Sequence, residues 1–486
     1  MSALFALENK APPRGLVGAS VSSVPPGLRI LLLTPYTGGN LGDGAIQDAL
    51  IHHLRKRLSE PRIRLVTLCP RLTSKLHNLP SFPIASSEYG DDPPAPESRP
   101  SAHPEIANGR ASYKESVKKS LRRVPGLYRV IASAWRPVRR AGSLLRRAPC
   151  ELRHLIRVCR LLKQTDLLVI SGGGQIDDYW GGAFGHPYAL FKWASLARVC
   201  HTPVVFLSVG VCSFGSRLSR HFANRALRLA VYRSYRDLGS KDLLRDATFT
   251  RDDPQYPDLA FSHPCTGQDL IVKHDSRRNN TVIGISPIAY LSPHGWPEHD
   301  PNIYGRYLQT LCEFTWKLLE AGRVVVLFTS ALQDQSAVKD LQAVLRQSPG
   351  REFWAGRLRQ VDQTCLDQQL EEMRKMDLVV ASRLHGIILS HILGKPTLAI
   401  SYDRKVRAHM EAMAQERFCL NFRDCTLPQL WDGFAKMELE SAAISAAVRS
   451  KAMEYSQQLD RQYDLILDLA GQTRHPCRHS PVVEAC

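Results

Sequence analysis

Arg29-Ile-Leu-Leu-Leu-Thr34 and the turn shortly after it, Thr37-Gly-Gly-Asn-Leu-Gly-Asp-Gly44, decide the fold. The first is an unbroken apolar run of strand length, the pattern of a strand covered on both faces. The glycines of the second let the chain turn sharply. Ile46, Ala49, Leu50 and Leu54 then recur at helical spacing, which predicts a helix from about Ala45 to Leu58. A second strand, Ile63 to Leu68, completes a βαβ unit.

The same alternation continues outward from this unit. Asp166-Leu-Leu-Val-Ile-Ser171 reads as a strand running into Gly172-Gly-Gly174, and further βα elements are predicted at Pro203–Val209, Arg217–Ala230, Val231–Tyr235 and Tyr256–Phe261. After a polar stretch the pattern restarts, with strands at Val282–Ser286, Val324–Thr329, Leu378–Ala381 and Pro396–Ser401 separated by helical segments. Two such series predict an α/β protein with two Rossmann-like domains facing each other across a cleft. The expected division is a disordered arm at 1–27, an N-terminal domain at 28–262 with a basic, irregular insertion at about 71–150, and a linker at 263–280. A C-terminal domain at 281–420, C-terminal helices at 421–470 and a flexible tail at 471–486 complete it.

Composition narrows the class. Of 486 residues, 44% are hydrophobic and 23% charged, which is globular. No apolar run approaches the ~20 residues of a membrane span, and Met1–Leu7 lacks the Lys or Arg that opens a secretory leader. Twelve cysteines without a C-x-x-C pair point to a reducing compartment, so a cytoplasmic protein is expected. His475, Cys477, His479 and Cys486 have metal-binding chemistry but read as a frayed terminus. No cofactor and no metal are expected. The net charge is +18, and from Lys114 to Lys163 fifteen Lys and Arg face two acids, which implies an anionic partner for that segment.

Ligands of open α/β sheets bind beyond the carboxyl ends of strands, and three loops there carry unusual chemistry. In Gly38-Gly-Asn-Leu-Gly-Asp-Gly44 the dinucleotide spacing is absent and a carboxylate stands where a pyrophosphate would lie. Asn40 and Asp43 are then expected to face the cleft and hold or deprotonate a hydroxyl, the alternative being that Asp43 only caps the helix and glycines such as Gly42 only permit the turn. Gly172, Gly173 and Gly174 permit close approach of a ligand or of another backbone. In Ala381-Ser-Arg-Leu-His-Gly386, Arg383 and His385 stand beside a helix start that favours anions, with a structural salt bridge as the alternative. Ser382 adjoins them, Tyr402 and Lys405 follow the next strand, and Arg236 ends another. The P-loop, H-E-x-x-H, G-x-S-x-G and D-x-D signatures are absent, which leaves a cleft enzyme binding an anionic small molecule through Arg, Lys and His.

Taken in order, Gly-Asn-Leu-Gly-Asp43, Gly172-Gly-Gly174, Tyr235-Arg-Asp237, Ser382-Arg-Leu-His-Gly386 and Ser401-Tyr-Asp-Arg-Lys405 resemble the motif series of the polysaccharide pyruvyl transferase family over roughly Arg29 to Cys419. The resemblance implies a fold similar to the GT-B glycosyltransferases, with phosphoenolpyruvate as donor, a glycan or lipid-linked sugar as acceptor, and a pyruvate ketal and phosphate as products. It implies that Arg383, helped by Lys405 and Arg236, holds the donor anions. His385 is the expected general acid and Asp43 the expected base on the acceptor hydroxyl, with the exchanged order as the alternative, and Asn40, Gly42, Gly172, Gly173, Gly174, Ser382 and Tyr402 line the substrate site. A GT-B glycosyltransferase using a nucleotide sugar is the alternative. Nucleic acid is not expected as a partner. Val117, Leu121, Val124, Tyr128, Ile131, Trp135 and Val138 form an apolar stripe amid the basic segment, broken at Pro125 and Pro137. The segment is expected to dock on anionic lipid at the inner face of the membrane or to pack on the N-terminal domain.

Overall fold

The computed structural model describes residues 26–36, 38–86, 149–179, 181–246, 252–267, 281–293, 296, 298–347, 356–361 and 365–473. The N-terminal arm, the proline-broken basic stripe, residues 268–280 of the expected linker and the His/Cys tail lie outside these residues.

Two parallel sheets form two lobes. The first contains β1 (Arg29–Leu33), β2 (Arg62–Thr67), β3 (Ser81–Pro83), β4 (Leu167–Ile170), β5 (Gly173–Ile176), β6 (Val204–Val211) and β7 (Tyr232–Tyr235). They run in the order β3-β2-β1-β4-β6, with β5 and β7 both paired to β6. The second contains β8 (Val282–Ser286), β9 (Val324–Leu327), β10 (Leu358–Gln360), β11 (Leu378–Ala381), β12 (Thr397–Ser401) and β13 (Cys419–Asn421), in the order β10-β9-β8-β11-β12-β13. That is the doubly wound order, and the strand order reverses beside β8, where ligands are expected.

The alternation of side chains along a strand divides the core. Leu31, Leu33, Leu168 and Ile170 point to one face of the first sheet, under Val158, Leu162, Trp193 and Leu227 of the covering helices. Ile30, Leu32, Leu167 and Val169 point to the other, where they join a cluster continuous with Ile283, Val325 and Leu398 of the second lobe. The C-terminal helix Ser441–Thr473 fastens both lobes. Its Asp464 accepts from Arg57 Nε at 2.7 Å and its Gln462 Nε2 donates to Tyr232 at 3.3 Å, while Ser445 Oγ and Tyr455 Oη donate to Gly394 and Ala412 carbonyls at 2.7 and 2.9 Å.

Four local expectations need correction. The helix after β1 begins at Leu41, four residues early, because Asn40 caps it by accepting from Gly42 N. Residues from 71 onward are not irregular at first: Pro70 opens the helix Pro70–His77 from its first turn, and β3 follows. Tyr256–Phe261 is not a strand. Gln255 makes a single bridge to Tyr235, and Asp258 then caps a 3₁₀ turn, Leu259–Ser262, by accepting from Ala260 N at 3.0 Å. Finally, Gly173–Ile176 is a strand rather than a loop, paired to β6 with a shift in register that Gly173, at φ 91°, accommodates.

Candidate active site

The turn after β1 is stitched to the other lobe. Asn40 forms an antiparallel bridge with Ala331, Leu41 N donates to Ser330 O at 3.0 Å, and Leu332 N donates to Gly39 O at 2.7 Å. Because Asn40 is the cap, the carboxylate of Asp43 is not occupied in capping. Its Oδ2 accepts from Asn40 Nδ2 at 2.8 Å, and a Cβ placed on Gly173 would lie 3.1 Å from its Oδ1. Burial, reinforced by Asp258, pushes the Asp43 carboxyl up to about 7, against the pull of Arg236 and Arg383.

His385 is the second residue of the helix Leu384–Ile392 in the opposite lobe, only 8% exposed. It lies over Gly42: a Cβ there would stand 1.9 Å from the imidazole Cγ. Its Nε2 is buried and has no hydrogen-bond partner among the described residues. Burial pushes its pKa down to about 4; Asp258 opposes this, and Arg236, Arg383 and Lys405 add to it.

The three cations converge here but are not equally available. Arg383 grips Asp334 with two bonds, Nη2 to Oδ1 at 2.9 Å and Nε to Oδ2, and Asp334 Oδ1 also accepts from Ala289 N at 3.1 Å. The salt-bridge reading of Arg383 is therefore realised alongside its place at the site. Arg236 Nη1 donates to Asp258 Oδ2 at 3.0 Å, and a Cβ on Gly210 would crowd its Nη2 at 2.7 Å. Lys405 Nζ lies 2.8 Å from Cys212 Sγ and, among the described residues, has no carboxylate within ion-pair distance.

The remaining expected residues divide by role. Tyr402 joins an aromatic wall with Tyr290 at 5.2 Å and Trp296 at 6.2 Å, and the Arg383 guanidinium lies 5.9 Å from the Trp296 ring. A Cβ on Gly174 would lie 3.7 Å from Asp177 Oδ2. A Cβ on Gly172 would meet Ser208 O at 3.1 Å and the Leu259 side chain at 3.2 Å, so this glycine serves packing within the lobe. Ser382 turns away, its Oγ bonded to Tyr307 Oη at 2.8 Å in the core. Sequence reasoning missed Asp258, Asp334, Cys212 and Trp296. Asp334 follows β9 and Cys212 follows β6, so the rule that directed the search to loops after strands reaches both; Asp258 and Trp296 carry no comparable signal.

The family model of the polysaccharide pyruvyl transferases matches residues 40–404, from the capping asparagine to the helix bearing Lys405. The chain belongs to the polysaccharide pyruvyl transferase family. No curated protein sequence matches it. Among solved structures, the S. aureus MnaA–UDP complex is similar over 91% of this chain and 97% of that one, at 10% identity and a TM-score of 0.50. A UDP-N-acetylglucosamine 2-epimerase is similar over 94% of this chain and 100% of that one, at 11% identity and a TM-score of 0.50. These likenesses concern the fold: this pyruvyl transferase family member has the two-lobed, GT-B-like architecture. Among its described residues no helix is long and apolar enough to cross a membrane.

Proposed function

We propose that the protein transfers pyruvate from phosphoenolpyruvate to two hydroxyls of one sugar in a glycan or lipid-linked acceptor, forming a ketal and releasing phosphate. The observation that carries this reading is the buried, unpartnered Nε2 of His385, held over Gly42 and flanked by Arg236, Arg383 and Lys405. Such a pocket suits a small dianion or trianion whose chemistry needs proton transfer.

The reaction has a definite proton balance. The methylene carbon gains one proton, the first acceptor hydroxyl adds to the adjacent carbon, phosphate leaves, and the second hydroxyl closes the ring. The two hydroxyl protons replace the one placed on the new methyl group and the one that departs on phosphate. Lys405, with no carboxylate to share, suits the phosphate; the Arg236 and Arg383 ion pairs give fixed positive edges for the donor.

The two pKa displacements support one order of roles. With Asp43 near 7 and His385 near 4, Asp43 is protonated and His385 neutral throughout the interval between. Asp43 is then the acid toward the methylene carbon and His385 the base on the acceptor hydroxyl. The converse order requires both groups in their minor forms over that interval. The test is to supply phosphoenolpyruvate and nucleotide sugars with a panel of glycans: phosphate is expected from phosphoenolpyruvate only when an acceptor is present. Turnover of a nucleotide sugar without phosphoenolpyruvate would replace this reading with the glycosyltransferase one.

A further inference from the structure

Three helices lie side by side on the outer face of the first sheet. Residues 149–163 pack on the helix His186–Val199 through His154 against Trp193 at 6.3 Å, and Thr202 Oγ1, just beyond that helix, donates to Leu162 O at 2.9 Å. His186–Val199 packs in turn on Arg217–Leu229, with Phe191 stacked on Phe222 at 5.4 Å and Tyr188 edge-on to it at 5.6 Å. Their inward residues complete the core beneath.

What they turn outward is unusual. The three helices carry nine exposed Lys and Arg, four on the first, one on the second and four on the third. Their one acid, Glu151, is taken up by the buried Lys192 at 2.8 Å. Large apolar side chains are exposed among these cations: Leu152 and Ile156 on the first helix, Phe184 just before the second, Val199 at its end and Leu218 on the third. Phe184 is 73% exposed and Val199 72%.

We propose that this three-helix face is a docking surface for an anionic lipid bilayer. Charge complementarity chooses the partner. Exposed aliphatic side chains insert between headgroups while Arg and Lys lie at the phosphate level, whereas nucleic acid gives aliphatic groups nothing to enter. A second copy of the chain is excluded at this face because the same excess of positive charge would meet itself. The face adjoins the cleft. The turn bearing Phe184 follows β5 and the helix Arg217–Leu229 follows β6, both at carboxyl strand ends, so a docked molecule presents the cleft rim to the bilayer surface. This surface is separate from the sequence's proline-broken stripe and does not depend on the chemistry proposed for the cleft.

The experiment is co-sedimentation of the full-length protein with phosphatidylcholine vesicles, with and without phosphatidylglycerol. Pelleting is expected only with the anionic vesicles and is lost at high salt. Joint Arg157→Glu, Arg217→Glu and Arg220→Glu is expected to lower partition at least ~10-fold with an unchanged circular-dichroism melt, and Phe184→Ser to lower it ~3-fold or more. Should the charge-reversed protein melt early, the Phe184→Ser and salt arms decide. Equal recovery in the supernatant with both vesicles overturns the proposal. So does pelleting indifferent to the charge reversal but abolished by deleting residues 87–148, or preferential capture by a duplex DNA oligonucleotide in competition with the vesicles.

Discussion

His385 and Gly42 belong to different lobes, yet the imidazole of one occupies the space where a side chain on the other would begin, with 1.9 Å between that position and Cγ. The absent side chain at Gly42 is thus a condition for the histidine's position.

Gly42→Ala is accordingly expected to lower phosphate release from phosphoenolpyruvate at least ~10²-fold, since a displacement of about 1 Å suffices for that loss. In a His385→Ala background the same methyl group is expected to cost nothing further, because the group it displaces is gone. Steady-state rates of the four proteins check this; equal losses in both backgrounds would place His385 outside the reaction.

On the proposed order of roles, Asp43 is expected to fix the alkaline side of the pH profile. As an acid with its carboxyl raised to about 7, it is expected to make kcat/KM fall as pH rises through that value, while His385 sets the acid limb near 4. Asp43→Asn should remove the alkaline limb together with at least ~10² of the rate. An unchanged alkaline limb in that variant would assign it to another group.

Arg383 and Lys405 separate structure from binding. Arg383→Ala leaves Asp334 buried without its partner, and breaking such a pair costs about 3–5 kcal/mol, so both activity and melting temperature are expected to fall. Lys405→Ala removes no ion pair among the described residues; it should raise the KM for phosphoenolpyruvate while the melting temperature stays close to that of the parent. Melting curves beside the KM values distinguish the two, and a stable, inactive Arg383→Ala would show that the salt bridge contributes little to folding.

Acid should begin to destabilise the protein above the carboxylate range. Burial lowers His77, His186, His263 and His385 to about 4 and His391 to about 3, all from an ordinary 6.5. The unfolded chain therefore takes up protons at these histidines between 6.5 and 4, an uptake partly offset by the Asp43 and Asp48 carboxyls that burial raises to about 7 in the folded chain, and stability is lost progressively as pH falls through that window. Melting temperatures across it, with calorimetric proton uptake on unfolding, measure the effect; a flat profile would mean that these histidines are hydrated.

The parts of the fold that were legible in the sequence are those where chemistry is local. β1, β4, β8, β11 and β12 are short apolar runs, and the segments after β1, β4, β7, β11 and β12 named Asp43, Gly173, Arg236, Arg383, His385 and Lys405, which the two lobes bring together. What escaped depends on partners distant in the chain. That Arg383 answers to Asp334, and Arg236 to Asp258, follows from the packing of separate loops. That Ser382 looks into the core depends on Tyr307, from another helix. In the sequence the Gly172–Gly174 run reads as the loop after β4, where glycines allow close approach, and only pairing with β6 makes part of it a strand.

The main-chain contacts from Gly39 and Leu41 to Ser330 and Leu332 give the beginning of the first long helix two owners. In a clamshell, jaws part and each keeps its own teeth. Here parting the jaws pulls on the very peptide groups that hold Asn40 and, through it, Asp43. Asn40 and Asp43 therefore keep their present positions only while the two lobes stay joined along this seam, so the seam works as a keystone for the helix start rather than as a hinge beside it.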